Sequence, residues 1–482
     1  MKSVAFHNLG CKVNSYEMDV MQQYFQKNNY FIVDFAQKAD IYIINTCTVT
    51  NIADRKSRQM IHRAKALNPD AVVVAVGCYV QTHQKEVLSD LSIDLAVGNN
   101  RKKDLLSIVE SFIKEREQGI PSEEKRGDKD KTDTDDTLSD EISENISAGD
   151  KCIVEDLDIK PEYEELELYK TAEHTRAYIK IQDGCNQFCS YCAIPLARGR
   201  VRSRKPEAVA AEVNRMAGAG YREIVLTGIH LSSYGLDLEG ISYNHAFGAN
   251  DDFPSSERLL ELIDSISRTD GIDRIRLGSL EPRIITEDFA KALADNEKIC
   301  PHFHLSLQSG CDSVLERMNR RYTCADFEKG VEILRKYFDD PAITTDIIAG
   351  FPGETQAEFE ASLAFVKKTG FYETHIFPYS RRKGTAADKM PGQLTEKEKK
   401  ERCRLYQELN EKNSASYAEE FLGKNLSVLF EREEEIDGCI HALGHTANYI
   451  EVAVKGEGLI NSIKMCRLTS LSADGRVRGE LI

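Results

Sequence analysis

The sequence predicts an α/β protein in three parts: an N-terminal doubly wound parallel sheet, a central partial (β/α)6 barrel and a small C-terminal β-barrel. Three observations predict it. Through the first part of the chain, short β-branched runs alternate with helical stretches, the pattern of βαβ units. Further strand-like runs alternate with helices from Ala177 to Phe377. After Asn425 the pattern changes to short alternating strands. At 482 residues the chain has room for about three domains. The expected boundaries are 1–113, an acidic insert at 114–170, the barrel at 171–400 and the C-terminal domain at 414–482.

In the first domain three apolar runs, at 4–11, 40–47 and 71–78, read as buried parallel strands. Helices are expected over about 15–28 and 53–67, and a closing strand at 93–98. Each of the three runs ends in a cysteine: Cys11, Cys47 and Cys78. In a doubly wound sheet the C-terminal strand ends share the ligand edge, so these thiols should converge although far apart in sequence. Free cysteines are also common in cores, but three placed alike at three strand ends favour a site.

From 119 to 170 the chain holds 18 acidic and 7 basic residues, a net −11 of the whole chain's −16. Few aromatics occur there, so the segment cannot bury enough apolar surface to offset its ordering entropy, and disorder is expected. With −5 on the rest, local basic loops remain compatible with an RNA partner. The absence of a long uncharged apolar run excludes a transmembrane helix, and no signal peptide opens the chain. Thirteen cysteines, an odd number in a long chain, point to metal-bound thiolates rather than disulfides. A cytoplasmic monomer is expected.

The central domain opens on residues 183–192, Asp-Gly-Cys-Asn-Gln-Phe-Cys-Ser-Tyr-Cys. Cys185, Cys189 and Cys192 can wrap three thiolates round one inorganic core. Four ligands would close such a site; three leave a position open for chemistry. A structural zinc site would use paired C-x-x-C knuckles, and no second pair occurs. Strand-like runs follow at 223–227, 274–278, 302–307, 342–348 and 373–377. With 177–181 they make six β/α units, open on one side to a large substrate. His302 and His304 read as packing or polar residues. Arg198, Arg200, Arg202, Arg204 and Lys205, then Arg317, Arg320 and Arg321, then Arg381, Arg382 and Lys383 form basic loops able to meet RNA phosphates.

The last domain, a charged helix and then strands at 425–430, 449–454 and 464–468, suggests an antiparallel barrel of OB-like shape. From Ser414 it carries 11 acidic and 7 basic residues, so an RNA face must be local, through Arg467, Arg476 and Arg478.

C-x3-C-x2-C with Tyr191 before the last cysteine resembles the cluster loop of radical S-adenosylmethionine (SAM) enzymes. There the cluster's open iron holds SAM, and an electron cleaves it to a 5′-deoxyadenosyl radical. With Leu9-Gly-Cys-Lys-Val-Asn14, Asn45-Thr-Cys47 and Gly77-Cys78, the chain resembles the radical SAM methylthiotransferases, which insert sulfur and a methyl group into an unactivated C–H bond. The resemblance implies two [4Fe-4S] clusters, one on Cys185, Cys189 and Cys192 and an auxiliary one on Cys11, Cys47 and Cys78. It implies SAM at Gly228, Glu281, Gln308, Asp346 and Gly350, and a C-terminal TRAM domain. Gly-Cys-Lys-Val-Asn is the form associated with bacterial enzymes that act on N6-threonylcarbamoyladenosine (t6A). The expected reaction is therefore conversion of t6A to its 2-methylthio form (ms2t6A) at adenosine 37 of the tRNA anticodon loop, with an external electron donor. Isopentenyladenosine-37 or a ribosomal protein is the alternative substrate within the family. A non-catalytic RNA-binding iron–sulfur sensor is the alternative of another class.

Overall fold

The computed structural model describes residues 2–118, 151–157, 162–170, 175–238 and 255–482. The chain divides into two compact units, Met1–Lys160 with Glu164–Leu166, and Pro161–Tyr163 with Glu167–Ile482. Among the described residues no helix is long and apolar enough to cross a membrane.

The first unit runs β1 (Ser3–Asn8), α1 (Lys12–Lys27), β2 (Phe31–Val33), β3 (Ile41–Thr46), α2 (Asn51–Leu67), β4 (Val72–Gly77), α3 (Cys78–Thr82), α4 (Gln84–Ser89), β5 (Leu95–Val97), α5 (Leu105–Gln118) and β6 (Cys152–Ile153). Its strands are all parallel, in the order β2-β1-β3-β4-β5-β6. β3 and β4 are buried throughout, so successive residues serve opposite faces. Ile41, Ile43, Val72 and Val74 pack with Met21 and Phe25 of α1 and Val109 of α5. Tyr42, Ile44, Val73 and Ala75 pack with Ile61 and Ala64 of α2 and Val87 of α4. The sheet is therefore doubly wound, and its order reverses between β1 and β3, where such sheets hold ligands.

The acidic insert expected at 114–170 is described only in part. Residues 119–150 and 158–161 lie outside the described residues. Of the flanks, α5 continues to Gln118, Cys152 and Ile153 pair beside β5, and Leu157 and Leu166 are buried. One apolar triplet, Cys-Ile-Val, suffices for an edge strand and is too short to show a period.

The second unit begins with β7 (Arg176–Lys180), β8 (Gln182–Asp183), α6 (Ile194–Arg198), β9 (Arg202–Ser203), α7 (Pro206–Gly218), β10 (Glu223–Thr227), α8 (Ser255–Ser267), β11 (Arg274–Leu277) and α9 (Glu287–Ala294). It continues with β12 (His302–His304), α10 (Asp312–Arg317), α11 (Cys324–Tyr337), β13 (Ala342–Ala349), α12 (Gln356–Thr369), β14 (Glu373–Pro378) and α13 (Glu396–Glu419). β7, β10 and β11 form one parallel sheet and β12, β13 and β14 another. Bridges at Ile275–Ile299 and Leu280–Leu305 join them, so the strands of the six β/α units lie in chain order. α11, α12 and α13 each start on a threonine capping box, at Thr323, Thr355 and Thr395, which satisfies the first free amides.

Behind α13, β15 (Asn425–Ile436), β16 (Cys439–Thr446), β17 (Glu451–Lys455), β18 (Ile463–Leu471) and β19 (Val477–Leu481) close a barrel in the order β15-β16-β17-β19-β18. The expectation of an antiparallel barrel is corrected here: β17 and β19 pair in parallel, so it is mixed. Val428, Phe430, Val452, Val454, Leu468 and Val477 fill it, with Phe421 against them.

A buried charge network joins this barrel to the lower strand ends. Arg276 Nε lies 2.7 Å from Glu223 Oε1. Arg274 donates to the Ser427 carbonyl (2.7 Å), and Arg276 to that of Ala447 (2.9 Å). The Tyr449 ring stacks on His302 and on His445, with the Arg276 guanidinium 4.7 Å from its centroid. Burial alone would raise the Glu223 carboxyl, but Arg276, Arg176 and Arg274 hold it down, at about 2 against an ordinary 4.5. Its contribution is thus present above pH 4.5 and is lost as pH falls towards 2. Glu223→Gln should cost about 3–5 kcal/mol at neutral pH, because it leaves buried guanidinium groups without their counter-charge. In urea unfolding of the apoprotein, the gap to wild type should close as pH falls from 4.5 towards 2.

Candidate active site

The cysteine loop of the second unit leaves β8 at Gly184, whose φ is +69°. A Cβ there would lie 1.8 Å from the Arg200 carbonyl oxygen, so only glycine fits the turn. The Cys185 amide donates to the Gly199 carbonyl (3.0 Å) and the Ser190 amide to that of Met318 (3.0 Å). Each sulfur receives a donor. The Gln187 amide points at Cys185 Sγ (3.4 Å), the Ile194 amide at Cys192 Sγ (3.4 Å) and Arg320 Nη1 at Cys189 Sγ (3.1 Å).

Donors aimed at sulfur suit thiolates. Without a metal, burial and then the neighbouring sulfurs push the Cys185 and Cys192 thiols up, Cys192 to about 12. A bound cation reverses this, since it deprotonates coordinating thiols outright. Three crowded thiols with inward-facing N–H groups therefore fit an iron–sulfur cluster.

The other expected positions lie after strands of the same layer, except Asp346, which lies within β13. Glu281 begins the turn after β11 and is buried; its carboxylate meets His230 Nε2 at 3.1 Å and also Arg283. Burial alone would raise its carboxyl, but His230 and Arg283 hold it at about 2, so it is ionised at neutral pH. Gln308 has φ +69°, takes the Ile348 amide and donates its own to Asp346; a non-glycine residue held there marks stored strain.

Gly228 and Gly350 bring the backbone close to neighbouring side chains. A Cβ at Gly228 would lie 2.8 Å from Gln182 Oε1, and one at Gly350 2.6 Å from Lys399 Cγ. Asp346 faces His304, Nε2 to Oδ2 3.2 Å. Arg320, expected among the basic loops that meet RNA phosphates, points instead at Cys189 Sγ. It also reaches the Ser306 carbonyl (3.2 Å), tying the cysteine loop to the end of β12.

In the first unit Cys11, Cys47 and Cys78 follow β1, β3 and β4, which are neighbours. Asn8 is in register with Asn45, and Thr46 with Gly77. Gly10, at φ +121°, has the Cys47 Cβ 3.1 Å from where its own would stand. Asn14 Nδ2 donates to the carbonyls of Leu9 (2.8 Å) and Thr46 (3.1 Å), stitching two of the loops together. Asn99 Nδ2 reaches Cys78 Sγ at 3.5 Å. Its oxygen is held by Lys102, which forms a wholly buried pair with Glu17 at 3.0 Å. Neither Asn99 nor Lys102 carries a sequence signal.

The basic loops need correction. Arg198 and Arg202 are buried against Asp183, and Arg204 against Glu212 at 3.1 Å. Arg317 pairs with Glu358 (2.8 Å), and Arg382 is buried. Arg200, Lys205, Arg381 and Lys383 are exposed. In the last barrel Arg476 meets Glu434, Glu451 and Asp474, whereas Arg467 is exposed. Arginines spent on interior carboxylates cannot be told from surface ones by composition.

Residues 3–98 match the family described as Uncharacterized protein family UPF0004, and residues 179–366 match the Radical SAM superfamily. The chain is 38% identical to the threonylcarbamoyladenosine tRNA methylthiotransferase MtaB of Bacillus subtilis (strain 168), over 96% of this chain and 93% of that one. It is 36% identical to the protein of the same name from Aquifex aeolicus (strain VF5), over 94% and 97%. The chain belongs to the radical SAM methylthiotransferase family. A relative named tRNA-2-methylthio-N(6)-dimethylallyladenosine synthase, from Pelotomaculum thermopropionicum, is 32% identical over 90% of this chain and 88% of its own. Among solved structures, the radical SAM methyltransferase TsrM from Kitasatospora setae shares the fold, with a TM-score of 0.54 and 18% identity over 80% of this chain and 77% of that one.

In this methylthiotransferase the loop geometry makes Gly184 irreplaceable. Gly184→Ala should cost at least about 1–3 kcal/mol from the left-handed backbone alone, and more from the clash with Arg200. A thermal melt and the iron content after reconstitution should both fall.

Proposed function

We propose that this enzyme adds a methylthio group to C2 of t6A at position 37 of the tRNA anticodon loop, giving ms2t6A, and that it works in the cytoplasm as a monomer fed by an external electron donor. The observation that carries the reading is similarity over nearly the whole chain to relatives named for threonylcarbamoyladenosine. It is supported by two separate sets of three cysteines, each gathered at strand ends. When bound, SAM and two [4Fe-4S] clusters supply a radical able to take hydrogen from an unactivated C–H bond, and the sulfur and methyl group that replace it.

The chain's own residues bind and orient. Cys185, Cys189 and Cys192 hold one cluster, with Arg320 and the Gln187 and Ile194 amides fixing the sulfurs. Cys11, Cys47 and Cys78 hold the other, with Asn99 donating to Cys78. Gly228, Glu281, Gln308, Asp346 and Gly350 would hold SAM, with ionised Glu281 offering a fixed acceptor. The last barrel acts as an OB-like TRAM domain, its RNA face carried by Arg467. Arg200, Lys205, Arg381 and Lys383 meet phosphates near the cysteine loop.

Cys185→Ala should abolish release of 5′-deoxyadenosine from SAM and reductant. Cys47→Ala should keep that release and lose methylthiolation; methylthiolated product from either variant refutes the assignment. The 32% identity to a dimethylallyladenosine enzyme keeps isopentenyladenosine as the second reading. Nucleoside mass spectrometry of bulk tRNA from a deletion strain separates the two. Loss of ms2t6A, with the isopentenyl counterpart unchanged, is expected; the reverse moves the substrate.

A further inference from the structure

We propose that His304, Asp346 and His375 form, in the SAM-free protein, a binding site for a divalent first-row metal ion, distinct from both sets of cysteines. They come from three adjacent strands, β12, β13 and β14. Asp346 and His375 are partners in register, and His304 stands opposite Thr344, two residues before Asp346. Side chains two apart on a strand share a face, so the three groups meet on one side of the sheet.

One ligand atom from each lies within 4.8 Å of the others. His304 Nε2 is 3.2 Å from Asp346 Oδ2, and the two imidazoles stack with centroids 5.5 Å apart. Ligand atoms placed about 2.1 Å from one ion stand roughly 3 Å from each other, so the His304–Asp346 edge already has that spacing. Two imidazoles and one carboxylate leave coordination positions open, the pattern of the facial triad that holds Fe2+ and similar ions.

The surroundings orient the His304 ring as a ligand-bearing histidine is oriented. His304 Nδ1 is 3.0 Å from Thr344 Oγ1, which leaves Nε2 for the ion. Glu373 Oε1 stands 3.7 Å from His375 Nδ1, a carboxylate behind the second imidazole. Arg320, whose charge also acts on Asp346, is committed to Cys189 Sγ and the Ser306 carbonyl. His375 is exposed and Asp346 half-buried, so an ion has a path in. A plain His304–Asp346 ion pair would account for two of the groups and leave the placing of His375 unexplained.

The test uses the cluster-reconstituted full chain, anaerobic and freed of loosely held metal, equilibrated by dialysis against micromolar Co2+. Bound cobalt is read by elemental analysis, and its shell by electron paramagnetic resonance with the clusters oxidised. Wild type should hold one Co2+ more per chain than His375→Ala under the same free Co2+. Thr344→Val should weaken that binding by about tenfold through loss of the group behind His304, with iron and sulfide content unchanged in both variants. Cobalt taken up at the cysteine sites is the same in wild type and His375→Ala and cancels. Equal cobalt on wild type and His375→Ala overturns the proposal, as does a signal showing no nitrogen ligand. Because His375 is exposed, its replacement tests the site without threatening the fold; Asp346→Asn serves as a third variant if its iron content holds.

Discussion

Asp183 ends β8 with Lys180 Nζ at 2.6 Å, Arg198 Nη1 at 3.1 Å and Arg202 Nη2 at 3.8 Å, all four side chains almost fully buried. Leaving any of these charges unmatched inside the protein would cost several kcal/mol. The chain before the cysteine loop supplies Lys180, and the chain after it supplies Arg198 and Arg202. Both ends of the loop must therefore return to one carboxylate. The turn at Gly184 then presses the loop against Gly199 and Arg200, and the spacing of the cysteines does the rest. Amide donors reach Cys185 and Cys192 because the backbone between these anchors has little freedom.

The first unit solves a similar problem by other means. Its cysteines are brought together by strand order, since β1, β3 and β4 are hydrogen-bonded neighbours. Side-chain amides of Asn14 and Asn45 then lace the strand ends together. One arrangement depends on buried charge and the other on sheet register, which is why the first has close sequence spacing and the second does not.

Much of this was legible in the sequence. A β-branched run ending in cysteine marks both a parallel strand and its ligand edge, so Cys11, Cys47 and Cys78 could be grouped from far apart. The strands of the central layer could be counted for the same reason. Short edges could not: β2 and β6 have too few residues to show a period, and β16 carries histidines and a glycine where a strand pattern would need apolar residues. Gly444 in that strand exists to let β15 approach, its Cβ position lying 2.0 Å from the Leu429 carbonyl oxygen. The arginines misled for a different reason. Their partners, Asp183, Glu212 and Glu358, are ordinary acidic residues until the fold places them, and an interior guanidinium resembles an RNA contact until its exposure is known.

The clamp formed by Arg274, Arg276 and Tyr449 has a geometric consequence. Guanidinium groups rooted in β11 hold carbonyls of the C-terminal barrel from within a buried network, so that barrel cannot swing on α13 as a tethered module would. Anything it grips is kept at a constant reach from the strand ends, as between the jaws of a calliper.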